Sequence, residues 1–278
     1  MMIISHNGIK TFFECPAKFK HRYILRSEKD KDTENNLANL YYGSITHEIA
    51  RYYSTLIVNN SDFTLLYQDF LEILSGILAG NQDYFAFSTD EYIAKFYIHA
   101  LCIVHAYKNK LLNIRMFKTE EKLANNSILD VYLTTPEYSA ILDYKTCSTF
   151  ESRKLSSLQN DLQMNYYAIT CGYHVDYLMH FELLKTSHKL TKKDTNPLEF
   201  VNRILDSKEN KIENFYRIIK AKYDEQYTEY LDLILAKIRE TKEFYCNFNN
   251  CVNMYGQSCE YYSKCNLNNY TEKVNEVL

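Results

Sequence analysis

Asp130, Asp143 and Lys145 are the residues whose types and spacing first suggest chemistry. Asp143 and Lys145 lie two apart in YSAILDYKTCS, a run of strand-forming residues, so period-two alternation puts both on one face. Asp130 lies in the preceding run, SILDVYLTT, and a turn at Pro136-Glu137 joins the two. Pairing of residues 128–134 with 139–146 makes the carboxylates near neighbours, an unfavourable arrangement unless a cation or proton lies between them. A divalent metal resolves the conflict. Hard oxygen ligands with room for water favour Mg2+ or Mn2+ over zinc, and such an ion acidifies an attacking water and offsets charge at a phosphate. Lys145 is then placed to hold the water or the phosphate. Charged residues alternating with apolar ones equally describe the solvated face of any half-exposed hairpin, so the three residues by themselves leave both readings open.

The elements that must position these residues are legible as patterns. The N-terminal ISHNGIKTFFECPAKFKHRYI has helical spacing and a Ser or Asn available as cap, and polar residues 27–36 follow as a surface loop. Helical spacing resumes over 37–58, with Gly43 near its start and His47 within it. Residues 59–112 form a helical insertion of at least two amphipathic helices separated near Gly80 to Asp83. The runs RMFKTEEKL, SILDVYLTT and YSAILDYKTCS predict a three-stranded antiparallel meander, with Asn125-Asn126 at its first turn. Beyond it, residues 155–172 predict a helix stopped by Gly172, and HVDYLMHFELLKT returns to strand. Residues 113–186 thus hold a catalytic sheet and helix, 198–243 are expected to be helical, and 246–278 form a Cys-rich tail with little periodicity. The fold class is α/β (α+β), a central mixed β-sheet flanked by helices, and one compact core with helical additions is favoured over two independent domains.

The segments leading to Asp130 and through Asp143-Tyr144-Lys145 resemble the metal-binding hairpin of the P-D-(D/E)-x-K nuclease superfamily, whose core is restriction-endonuclease-like. The surroundings are similar to its RecB-like branch, which includes the AddB nuclease domain and CRISPR adaptation nucleases. Cys15-Pro16-Ala17-Lys18-Phe19 resembles that branch's C-P-x-x-F signature, Gly43 to His47 its G-x-x-x-H motif, and Gln163 to Tyr167 its Q-x-x-x-Y motif, in family order along most of the chain. The family commonly has glycine three residues before the first Asp, where this chain has Ser127. The resemblance implies His47 as a third protein ligand beside Asp130 and Asp143, with the Tyr144 carbonyl as a fourth. It also implies roles for Gln163 and Tyr167 in orienting Lys145 or the nucleic-acid strand; one helical turn apart, the two share a face. Glu120 or Glu121 stands where the family has a further acid, the choice depending on register.

The tail holds Cys246, Cys251, Cys259 and Cys265. A subset of RecB-like nucleases ties an N-terminal cysteine to three C-terminal ones through a [4Fe–4S] cluster, and the resemblance implies Cys15, Cys251, Cys259 and Cys265 as ligands. The Cys259–Cys265 spacing matches that arrangement, while the seven residues between Cys251 and Cys259 replace a gap of two. Four thiolates hold an iron–sulfur cluster or a tetrahedral zinc equally well, and free thiols are the third reading. Either metal group would pin a tail that has little core of its own. Cys102, Cys147 and Cys171 fall in periodic segments and read as small core residues.

Composition bounds the rest. A net charge of −3 argues against coating DNA with bulk positive charge and leaves a confined basic groove, for which Lys18, Lys20, Arg22, Arg153 and Lys154 are candidates. The 26 Tyr with no Trp fit AT-rich coding or a stacking surface. No run approaches the roughly 18 to 20 apolar residues of a membrane span, and the first residues lack the features of a signal peptide, so a cytoplasmic protein, bacterial or of a phage in its host, is expected. The resemblance implies a DNA exonuclease acting on single strands or ends in recombination, repair or phage replication, with a helicase or recombination partner. Readings of other classes are a non-catalytic DNA-binding or assembly module that keeps the fold, and a zinc-bound interaction protein.

Overall fold

The computed structural model describes residues 4–28, 37–60, 62–111, 113–123, 128–150, 155–207, 211–247, 251 and 259–265. The Asn125-Asn126 turn, Ser127, Arg153, Lys154 and most of the polar loop before residue 37 lie outside them. The expectation of one core meets a division into two compact units, one of Met1–Leu37 with Glu225–Leu278 and one of Ala38–Asp224.

In the first unit, Ser5 caps α1 (His6–Glu14) by accepting a hydrogen bond from the Gly8 N–H at 3.3 Å. The helix stops because Cys15 is extended (φ −163°) ahead of Pro16, which has no N–H to donate and opens α2 (Pro16–Phe19), followed by a π-helical turn over Lys20–Ile24. Far along the chain, α9 (Gln226–Glu240) buries Leu231, Ile234 and Ile238, spaced three and four apart on one stripe. The Phe12, Phe19 and Phe244 rings meet at centroid distances of 5.5 to 6.5 Å.

The second unit is a five-stranded sheet in the order β1 (Met116–Lys122), β2 (Ile128–Thr134), β3 (Ser139–Cys147), β4 (Tyr177–Leu184), β5 (Tyr216–Lys222). The first three strands form the antiparallel meander, β3 and β4 run parallel, and β5 returns antiparallel. The parallel pair requires a crossover, which α6 (Leu155–Gln159) and α7 (Leu162–Thr170) supply. One face of the sheet, carrying Val131, Leu142, Tyr144 and Phe181, packs on α3 (Leu37–Asn59), α5 (Asp90–Asn109) and α8 (Pro197–Leu205). On α3 the buried residues Ile45, Ile49, Tyr53 and Ile57 recur every fourth position, and each such side chain stabilises the unit by roughly 1.5–3 kcal/mol. Between α3 and α5 stand α4 (Tyr67–Ala79) and a short 3-10 turn over Gln82–Phe87, matching the break expected near Gly80.

Two expectations are corrected. The stretch 198–243 is not helical throughout: α8 ends at Leu205 and β5 occupies Tyr216–Lys222, because YRIIKAK pairs with β4 and completes the sheet. The helix expected over 155–172 is broken, because the Asp161 side chain accepts from the Met164 N–H at 3.1 Å and starts α7 afresh. Gly172, at φ +73°, takes the left-handed conformation just beyond the end of α7.

Candidate active site

The hairpin register pairs Val131 with Leu142, which sets Asp130 and Asp143 next in line on the opposite face. Asp143 is only 1 % exposed. Its neighbours are Lys145, with Nζ 2.7 Å from Oδ2, and Gln163, whose Nε2 donates to Oδ1 at 3.0 Å. Lys145 also donates to Gln163 Oε1 at 3.0 Å, and Gln163 Nε2 is 3.1 Å from the Tyr167 hydroxyl. Asp130 Oδ2 accepts from the Tyr144 N–H and lies near His47 Nδ1, each at 3.1 Å. His47 comes from α3, Gln163 and Tyr167 from α7, so two separate helices converge on the hairpin.

Electrostatics follow from crowding. Burial pushes the Asp143 carboxyl up to about 6; Lys145 pulls against that rise and the Asp130 charge adds to it. Burial lowers His47, but its hydrogen bond to Asp130 and the charges of both carboxylates outweigh that loss, so the imidazole is raised. Burial pushes the Tyr167 hydroxyl up to about 12. Lys145, 2.7 Å from Asp143 Oδ2, is the one neighbour of that buried oxygen among the described residues. Two carboxylates, one of them with a buried oxygen that only Lys145 approaches, and an imidazole fit a hard divalent cation of the Mg2+ or Mn2+ type. Among the described residues, however, no group of three or more His, Cys, Asp or Glu side chains closes tightly enough to grip an ion as it stands. Instead His47 meets Asp130 and Lys145 meets Asp143, one to one.

Glu121 and Glu120 are placed differently. Glu121 Oε1 accepts from the Tyr173 hydroxyl at 2.5 Å and lies 3.6 Å from Lys118, while Glu120, at φ +50°, pairs with Arg51 at 3.3 Å. These contacts do not include Asp130 or Asp143. Tyr144 contributes its N–H to Asp130 and buries its hydroxyl against that of Tyr107 at 2.6 Å.

Sequence reasoning missed a second polar row. The parallel register sets His180 beside Asp143 and Glu182 beside Lys145, and β5 adds Arg217 opposite Glu182. Glu182 is fully buried and accepts from Arg217 Nε at 2.5 Å; His180 Nε2 lies 3.8 Å from Asp161. The polar residues interrupting HFELL were the available signal, but only the register of β4 against β3 gives them meaning.

In the first unit, Cys15, Cys251 and Cys265 are buried and Cys246 and Cys259 half-buried, all with free thiols. Cys15 and Cys265 share a cluster against which Cys246 packs. The Cys15 sulfur accepts from the Asn247 N–H at 3.4 Å, and the Cys259 N–H donates to the Cys251 carbonyl at 2.7 Å. Burial pushes the Cys251, Cys259 and Cys265 thiols up; at Cys265 a hydrogen bond with Cys246 adds to the rise. Among the described residues, however, no set of three or more of these cysteines closes into a metal site. Cys246 packs among these cysteines, a place its sequence position did not reveal. Cys102 and Cys171 are buried, Cys147 half-buried.

A family model, that of the PD-(D/E)XK nuclease superfamily, matches residues 3–266. A search of curated proteins finds no match to the chain.

Proposed function

The chain belongs to the PD-(D/E)XK nuclease superfamily, and from that premise we propose that it hydrolyses DNA phosphodiester bonds with Mg2+ or Mn2+. In this reading it is a RecB-like exonuclease acting on single strands or ends in recombination, repair or phage replication. The observation that carries the proposal is the meeting of Asp130, Asp143 and Lys145 with Gln163 tied to both Asp143 and Lys145.

Asp130, Asp143 and His47 would hold the ion, with the Tyr144 carbonyl as a fourth donor. When bound, the ion supplies a more acidic attacking water and a counter-charge for the phosphate. Lys145 keeps its ammonium beside the carboxylates, where it can orient a water or a phosphate oxygen. Gln163 uses both ends of its amide, fixing Lys145 through Oε1 and Asp143 through Nε2, and the Tyr167 hydroxyl holds the amide in turn. Such bracing fixes the direction of two side chains that are already paired with each other.

The test is cleavage of labelled single- and double-stranded DNA in Mg2+ or Mn2+ by the wild type, Asp143→Ala and Lys145→Ala. Loss in both variants is expected; equal activity in all three refutes the assignment. For the first unit the proposal is a structural [4Fe–4S] clasp on Cys15, Cys251, Cys259 and Cys265. Anaerobically purified protein should absorb near roughly 400 nm and contain iron, whereas a colourless protein containing zinc would replace the cluster with a zinc site.

A further inference from the structure

A groove of about 550 Å³ runs between α3 and α4, within the range of volumes that small ligands occupy. It adjoins the catalytic residues through α3. Arg51 lines it one helical turn beyond His47 and pairs with Glu120, the β1 residue between those that face Val131 and Leu129 and hence opposite Asp130. The groove's other side is α4, and there Gly76 leaves the helix backbone open: a Cβ at that position meets no atom within 4 Å. Ile73 and Ile77 supply apolar surface on the same helix, and the half-buried Tyr52 and Tyr84 supply rings. Each ring is braced by another, Tyr52 edge-on against Tyr53 at 5.3 Å and Tyr84 against Tyr41 at 5.8 Å.

The charges select what enters. Glu48 and Glu72 line the groove with Arg51, whose guanidinium lies 2.5 Å from Glu48 and 3.3 Å from Glu120. A lining with two carboxylates and a cation already paired twice does not attract phosphate. Braced tyrosines, aliphatic side chains and carboxylates that accept hydrogen bonds from exocyclic amines instead suit a nucleobase.

We propose that the α3–α4 groove is a base-binding subsite that receives the nucleobase next to the scissile phosphate. The phosphate stays at the carboxylate pair and the unpaired base turns aside into the groove. The subsite rests on the reading of the chain as a DNA hydrolase, and its test is separable from that reading because it measures binding alone.

The experiment is fluorescence anisotropy of a labelled single-stranded oligonucleotide on the full-length protein, in EDTA at one fixed low ionic strength, so that no cleavage occurs. Gly76→Leu places an isobutyl group in the groove while replacing a helical glycine with a better helix former, so its melting temperature should not fall. Tyr52→Ala removes a stacking ring. Loss of one stacked base corresponds to a rise in Kd of roughly 5- to 150-fold, expected in both variants. Kd values within twofold of wild type in both, or no binding by the wild type, overturn the subsite. Cleavage in Mg2+ by the wild type is scored separately; its absence sinks the hydrolase reading and leaves the binding result to decide the groove.

Discussion

Replacing Asp143 with Asn should abolish cleavage and yet stabilise the protein in EDTA. The Asp143 carboxyl ionises at about 6 in the folded chain against an ordinary 3.8. At about 1.4 kcal/mol per unit, holding its charge above pH 6 costs on the order of 3 kcal/mol. Asn keeps an oxygen for Gln163 Nε2 and removes the like-charge contact with Asp130. It loses the ion pair to Lys145, which retains Gln163 Oε1. The net gain should therefore be smaller, about 1–2 kcal/mol, a rise in melting temperature of roughly 2–8 °C for a unit of this size. The pH dependence fixes the cause. A carboxyl with a raised pKa keeps its proton in the folded chain where the unfolded chain has released it. Its stabilising contribution is therefore full below about pH 4 and lost as pH rises through about 6. The stability gap between variant and wild type, measured by thermal or urea unfolding from pH 4.5 to 8, should open across that window and then level off. In Mg2+ the order should reverse, since only the wild type gains binding energy from the ion. A variant less stable than wild type at pH 7.5 in EDTA, a gap that ignores pH, or retained cleavage would each refute the reasoning.

Asp161→Ala removes the α7 cap and should cost about 1 kcal/mol in urea unfolding, and because Gln163 lies two residues on, kcat should fall about tenfold with it. His99, 1 % exposed and hydrogen-bonded to the Leu184 carbonyl at 3.2 Å, is lowered by burial to about 4. Its imidazole resonances should stay those of the neutral ring down to about pH 5, with stability lost as pH falls from about 6.5 towards 4; an NMR midpoint near 6.5 would contradict this. Arg217→Met leaves Glu182 buried without its cation and should cost about 3–5 kcal/mol, while adding Glu182→Met should recover most of it, both read from urea midpoints.

The parts legible in the sequence are those fixed by local rules. Alternation put Asp143 and Lys145 on one face, Pro136-Glu137 marked the turn that pairs them with Asp130, and Gly172 marked the end of α7. The missed parts depend on long-range pairing. YRIIKAK carries too many charges to stand out as a strand until β4 offers it an edge, and Glu182 looks like a solvated residue until β5 delivers Arg217. Asp161 was visible as a residue but not as a helix start, since a cap competes with continued helix and the sequence alone does not rank them. The choice between Glu120 and Glu121 needed register too, and at Glu120 a positive φ alters the simple alternation on which such a choice depends.

The Glu182–Arg217 pair also explains why Lys145 points where it does. In the parallel register Lys145 lies directly beside Glu182, and a buried carboxylate on the adjacent strand is a natural partner for an ammonium. Were Glu182 unpaired, the cost of its buried charge would draw Lys145 across to β4 and away from Asp143. Arg217 prevents this by engaging Glu182 from the other side, with its guanidinium over the Phe150 ring at 5.1 Å. Lys145 pairs instead with Asp143 and Gln163. The strand farthest along the chain among the described residues thus bears on the hairpin through the intervening Glu182 carboxylate.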